Sequence, residues 1–210
     1  MMLFFRIHII LIIGLVQSCA DTALSRCPAD QGLKLDNCHG TFIYADGAKY
    51  VGEFKGGYPH GFGKYTFPNE EQYVGEFKNG LKHGQGTETF PGEQKYIGEY
   101  KNGLIDGKGK YSFPNGEQYQ GDYKTGQKHG QGVYTFISGA KYVGQYQNDK
   151  MHGTGIFSWS NGDVMSGYFM ANQHVPQICN EKGYALDSLQ HDQCVIEIVE
   201  YLISKPSLEK

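Results

Sequence analysis

The side chains best suited to chemistry in this 210-residue chain are four histidines that each precede a glycine, His60, His83, His129 and His152, and five cysteines. Such residues could hold zinc, but zinc needs its ligands ~2 Å from a single ion. Cys27 and Cys38 stand eleven apart and Cys179 and Cys194 fifteen apart, without the short knuckle of a zinc site. The serines lie in no nucleophile-elbow motif, and no Ser–His–Asp or Cys–His arrangement is legible. His129-Gly130-Gln131-Gly132 is glycine-rich but recurs along the chain, so it does not mark a phosphate loop. The sequence therefore predicts no catalysis, no metal and no cofactor. Whether the histidines could meet depends on the elements that carry them.

Those elements come from an unusual composition. The chain has 30 Gly, 16 Tyr and 12 Phe, roughly twice the ordinary share of glycine. Its 19 Lys and Arg against 22 Asp and Glu give a formal charge of −3. That balance excludes a nucleic-acid binder or a polybasic membrane clamp, both of which need clustered positive charge.

Met1–Ala20 carries an apolar run from Ile9 to Val16, too short for the ~20 residues of a spanning helix. It reads as an export signal, removed before folding. Leu15-Val16-Gln17-Ser18-Cys19 resembles a bacterial lipobox, in which the cysteine carries the lipid, so Cys19 is the expected attachment point. The expected location is the cell envelope, as a membrane-anchored lipoprotein; an ordinary cleaved signal, giving a secreted or periplasmic soluble protein, is the alternative. Setting Cys19 aside leaves an even set, Cys27, Cys38, Cys179 and Cys194, which should pair in an oxidising compartment.

A fixed period organises the middle. Tyr50-Val51-Gly52-Glu53-Phe54 returns every 23 residues, with copies starting at Tyr73, Tyr96, Tyr119 and Tyr142 and a worn one at Met165. A second block, His60-Gly61-Phe62-Gly63, recurs in step, with Asp106 in place of one histidine. Each unit reads as a β-hairpin, with Asn79-Gly80 as turn chemistry within a unit and Pro114-Asn115-Gly116-Glu117 between units. Two strands in 23 residues leave no room for a crossover helix, so neighbours must be antiparallel. Period-2 alternation puts all aromatics of residues 50–169 on one face except Tyr58, Phe62 and Tyr168. Glycines share that face, where a ring can lie across the bare backbone. The other face carries Glu53, Lys55, Lys64, Thr66 and their counterparts, expected to form a mixed, solvated surface that keeps the sheet soluble.

These blocks resemble the MORN repeat family (membrane occupation and recognition nexus), over roughly residues 38–169. The resemblance implies an all-β fold, an elongated single-layer antiparallel sheet of stacked hairpins, and an interaction or dimerisation module. The expected organisation is a signal at 1–19, an N-terminal cap at 20–37, the array at 38–174 and a C-terminal cap with a helix at 175–210.

Six hairpins give about twelve strands, roughly 55 Å across at ~4.8 Å each. Disulfides need Cα atoms within ~7 Å, so pairing across the array is excluded unless the sheet closes, and an open sheet leaves Cys27–Cys38 and Cys179–Cys194. Equivalent histidines lie ~9.6 Å apart and cannot share a metal; packing at the turns is their expected role. Val195, Ile198, Val199, Leu202 and Ile203 follow helical spacing, with Asp187 or Ser188 as N-cap. That helix is expected either to cap the last hairpin or to lie in the aromatic groove.

The one candidate binding surface is the aromatic face: Tyr50, Tyr73, Tyr96, Tyr119 and Tyr142 in one row, Phe54, Phe77, Tyr100, Tyr123 and Tyr146 beside them. Two readings compete. Either the rings already form the core, or a single-layer sheet leaves them uncovered for an occupant. The expected partner is another protein or a second copy, with the membrane reached through the lipid anchor; direct binding of lipid or glycan is the alternative, and nucleic acid is not expected.

Overall fold

A computed structural model describes residues 24–28, 35–185 and 188–204. Fourteen strands form one sheet in strict chain order. After β1 (Ser25–Arg26) come β2 (Cys38–Ile43), β3 (Lys49–Lys55), β4 (Tyr58–Thr66), β5 (Gln72–Lys78), β6 (Leu81–Thr89) and β7 (Lys95–Lys101). The series continues through β8 (Leu104–Ser112), β9 (Gln118–Lys124), β10 (Gln127–Thr135), β11 (Lys141–Gln147), β12 (Lys150–Ser158), β13 (Val164–Met170) and β14 (Gln173–His174). β1 pairs with β2 in parallel and all other neighbours are antiparallel. The repeats thus account for β2–β13, and two-residue strands are added at the edges.

Local chemistry sets the hairpins. At Asn79-Gly80 both residues have positive φ, 53° and 82°, and Lys78 faces Leu81. This is the two-residue turn whose twist matches the flanking strands. In each hairpin the register then slips, as between Gly52 and Glu53, where β3 pairs Gly63 and then His60. Gly61 sits in that bulge with φ 59° under the Glu53 carboxylate, a conformation and a contact that leave no room for a side chain.

The aromatic face is the core. Tyr50, Tyr73, Tyr96, Tyr119 and Tyr142 have 0% exposure, and Phe54, Phe77, Tyr100, Tyr123 and Tyr146 have 2–8%. Each row tyrosine lies over the glycines of its own hairpin and packs edge-on against two rings, as Tyr96 does on Tyr100 (5.2 Å) and Tyr123 (5.4 Å). A Cβ at Gly52 would stand 2.6 Å from the Cα of Gly63, so the tyrosine's bed needs both glycines. Of the two readings of these ten residues, their burial favours rings that form the core over an uncovered row. Glycine lets each ring lie flat, and the neighbouring hairpin's ring closes over it.

The ends also differ from expectation. α1 (Val175–Glu181), which the sequence did not foretell, packs against β13 and β14, and α2 (Leu189–Ser204) packs on α1. The expected helix forms with Ser188 as its cap, its Oγ accepting from the amide of His191 at 3.1 Å. It reaches the sheet's end through α1, because α1 follows β14 directly and occupies the edge first. The Cys179–Cys194 bond ties the two helices together, and Cys27–Cys38 ties β2 to the residue following β1. Cys19 and the expected signal segment lie outside the described residues. No described helix is long and apolar enough to cross a membrane.

Candidate binding surface

The bulge explains most of the chemistry-bearing residues. Register slip frees a backbone carbonyl at Glu53 and its counterparts. The row tyrosines donate their hydroxyls to these: Tyr50 to Glu53 O at 3.0 Å, Tyr73 to Glu76 O at 2.9 Å, Tyr119 to Asp122 O at 3.0 Å. On the opposite face the side chain of the same acidic residue accepts from a bulge amide. Glu76 takes Gln85 N at 2.8 Å, Asp122 takes Gln131 N at 2.9 Å, and Gln145 replaces the acid, taking Thr154 N at 2.9 Å. On the expected mixed, solvated face, Glu53, Glu76 and Asp122 thus act as backbone clamps. Lys108–Asp122 at 2.7 Å is the ion pair the described ladder shows, and it holds the Asp122 carboxyl below the usual range.

At this repeat position His83 and its aspartate replacement serve the turns, whereas His60 Nδ1 is buried without a hydrogen-bond partner and His152 packs on Tyr168. Asp106 accepts from Thr125 N at 3.0 Å in the next hairpin's turn, and His83 Nδ1 accepts from Asn102 N at 3.5 Å. Histidine and aspartate interchange in the repeat because both can offer an acceptor there. Among the described residues no group of three or more His, Cys, Asp or Glu is placed to hold a metal.

Beside the closed tyrosine row runs a second, half-buried file of rings. From Tyr111 it passes to Phe113 (4.7 Å), Tyr134 (5.9 Å), Phe136 (4.6 Å), Phe157 (5.4 Å) and Trp159 (4.8 Å). At one place the period supplies a carboxylate instead of a ring. Glu88 is buried, accepts from Tyr100 Oη at 2.8 Å, and is ion-paired to Lys82. The Lys82 ammonium lies 5.1 Å above the Phe67 ring; burial lowers its pKa and Glu71 works against that.

The open surface lies on the other face. One register row, Val74, Thr87, Ile97, Lys110, Gln120, Val133, Val143 and Ile156, crosses eight strands. Its aliphatic members are 36–49% exposed. Around Ile97, Val133 and Val143 the sheet forms an open trough of about 660 Å³, rimmed by Gln85, Glu99, Lys108 and Gln131. Sequence reasoning missed this row, although the signal was present. The residue after each row tyrosine is Val51, Val74, Ile97, Gln120 and Val143, aliphatic in four of five copies on a nominally polar face.

The family model for the MORN repeat matches residues 50–71, 73–93, 96–118, 119–141 and 142–164, more than half of the chain. The chain belongs to the MORN repeat family. No curated protein matches it by sequence. Among solved structures, it is similar to the SAS-4 (dCPAP) TCP domain of Drosophila melanogaster, in complex with a proline-rich motif of Ana2 (dSTIL). That match has 14% identity and TM-score 0.40, over 62% of this chain and 71% of that one. The TCP10 domain of Danio rerio CPAP, in complex with a STIL peptide, matches at 15% identity and TM-score 0.40, over 61% and 57%. MORN repeats as a class serve as binding modules for protein or membrane, and the open surface of this MORN sheet is the aliphatic trough.

Proposed function

We propose that this MORN protein is a non-catalytic interaction or scaffold module, exported and tethered to a membrane through Cys19, which recruits a protein partner on the aliphatic trough. One observation carries the reading: five exposed aliphatics, Val74, Ile97, Val133, Val143 and Ile156, share one register row across the sheet, interrupted by Thr87, Lys110 and Gln120 and bordered by polar side chains. Apolar patches of this kind mark contact sites, and an apolar centre with a polar rim is the anatomy of a protein interface. The ring layer behind supplies stiffness, so a partner meets a preorganised surface. Two disulfides support an oxidising, exported setting.

Capture from source-cell envelopes tests the reading. The intact protein and an Ile97→Asp/Val143→Asp variant are compared at equal folding by circular dichroism. Loss of one partner with the variant supports the trough; unchanged capture removes it. Liposome flotation separates the tether from the array. A chain lacking residues 1–20 should stay in solution, whereas flotation without them would assign membrane binding to the repeats. Light scattering distinguishes self-association, which predicts a dimer that Ile97→Asp dissolves.

A further inference from the structure

The ring file ends at Trp159, and the neighbour that each interior ring has is missing there. Between Trp159, the last two long strands and α1 lies a cavity of about 300 Å³. Its floor is Met151, Phe157, Met165 and Phe169, and Glu181 of α1 lines its rim. Among the described residues no Lys or Arg lines it. Trp159 is 42% exposed.

The interior of the array shows what an equivalent slot takes. Four periods earlier, Phe67, Tyr73 and Phe77 stand where Trp159, Met165 and Phe169 stand here. The Lys82 ammonium sits on that site, 5.1 Å from the Phe67 centroid and 5.3 Å from Tyr73, with Glu88 and Glu71 beside it. Two periods earlier the Lys128 ammonium lies over Tyr119 (5.6 Å), the counterpart of Met165, and over Tyr134 (5.0 Å) and Tyr146 (5.9 Å), with Asp149 and Glu117 nearby. At the end of the array the residue in that position is His174. Its Nε2 is engaged at 3.1 Å by the Ser166 carbonyl, and its ring rests 5.2 Å from Phe169. The slot thus keeps rings at Trp159 and Phe169, has Met165 in place of the tyrosine and a carboxylate of α1, Glu181, at its rim, and has no ammonium. Glu181 Oε1 accepts from Gln177 at 3.1 Å.

The geometry points to a lysine side chain of a partner protein entering this end cavity, its butyl stem on the Met151 and Met165 floor and its ammonium between Trp159 and Glu181. Tryptophan is the ring that attracts a cation most strongly, and a carboxylate at the rim adds the charge complement. The site lies on the aromatic side, away from the trough, and its test uses no partner. Either proposal can therefore fail alone.

Trp159 is the single tryptophan of the chain, so its fluorescence reports the cavity directly. The purified protein is titrated with Nα-acetyl-lysine methylamide and with the norleucine counterpart, which keeps the stem and lacks the charge. A saturable change with the lysine compound, at least about tenfold tighter than with norleucine, is expected from a desolvated cation–ring contact. Glu181→Gln, an exposed change, should abolish most of that preference without altering the melting temperature. His174→Lys should restore the chain's own ammonium, as in the interior hairpins, and block the probe. Equal binding of the two compounds, no Trp159 response in folded protein, or an undiminished lysine preference in Glu181→Gln would each overturn the assignment.

Discussion

At Tyr50, Tyr73, Tyr96, Tyr119 and Tyr142 one side chain does two jobs: the ring fills the space over paired glycines, and the hydroxyl satisfies the carbonyl that the bulge frees. Removing only the hydroxyl, Tyr96→Phe, leaves a buried acceptor and should cost about 1–3 kcal/mol in chemical denaturation. Tyr96→Ala also removes the ring and should cost about 3–5 kcal/mol. The same burial sets a pH response. It raises the phenols, Tyr142 from 10.0 to about 12 and the other four row members further. The unfolded chain therefore loses these protons first. Stability is whole below pH 10 and falls as pH climbs from there towards 12, the window set by Tyr142. A spectroscopic tyrosinate titration should show the five row phenols ionising together with loss of sheet signal.

Hairpins differ where the period is broken. In β6 Glu88 replaces the ring that β4 and β8 carry as Tyr65 and Tyr111, and Lys82 answers it. Removing one partner strands the other charge, so Glu88→Ala should cost about 3–5 kcal/mol. The double change Lys82→Ile/Glu88→Tyr copies Ile105 and Tyr111 of the next hairpin and should cost nothing or add up to about 4 kcal/mol. Equilibrium unfolding of the three proteins checks both. The sequence announced such elements well: period-2 alternation and Asn-Gly turns are local, so strands and hairpins could be read directly. α1 could not, because seven residues starting Val175-Pro176 carry no helical period; packing against β13 and β14 holds it in place. Cys179–Cys194 closes a fifteen-residue loop, and its removal should cost about 3 kcal/mol by loop entropy. The loss should appear as fraying of α2 before the sheet melts, read by helical circular dichroism.

Across the whole molecule the two faces divide the work. Alternation correctly assigned Tyr50 and Gly52 to one side and Val51 and Glu53 to the other, but burial depends on what covers a face, and that is a property of stacked hairpins. Each row ring is sealed by the next repeat, so the surface richest in aromatics is the least accessible. The exposed row of Val74, Ile97, Val133, Val143 and Ile156 emerges only once seven strand pairings bring those residues into line across the sheet. Repeats that each contact only their neighbours extend both features along the array. The central claim, that the tyrosine row is interior scaffolding, is tested most directly by hydroxyl-radical footprinting of the native protein read residue by residue in a mass spectrometer. Tyr58 and Phe62 should be oxidised while Tyr50, Tyr73, Tyr96, Tyr119 and Tyr142 stay protected until the sheet is denatured. Oxidation of the row in folded protein to the level of Tyr58 would contradict the account.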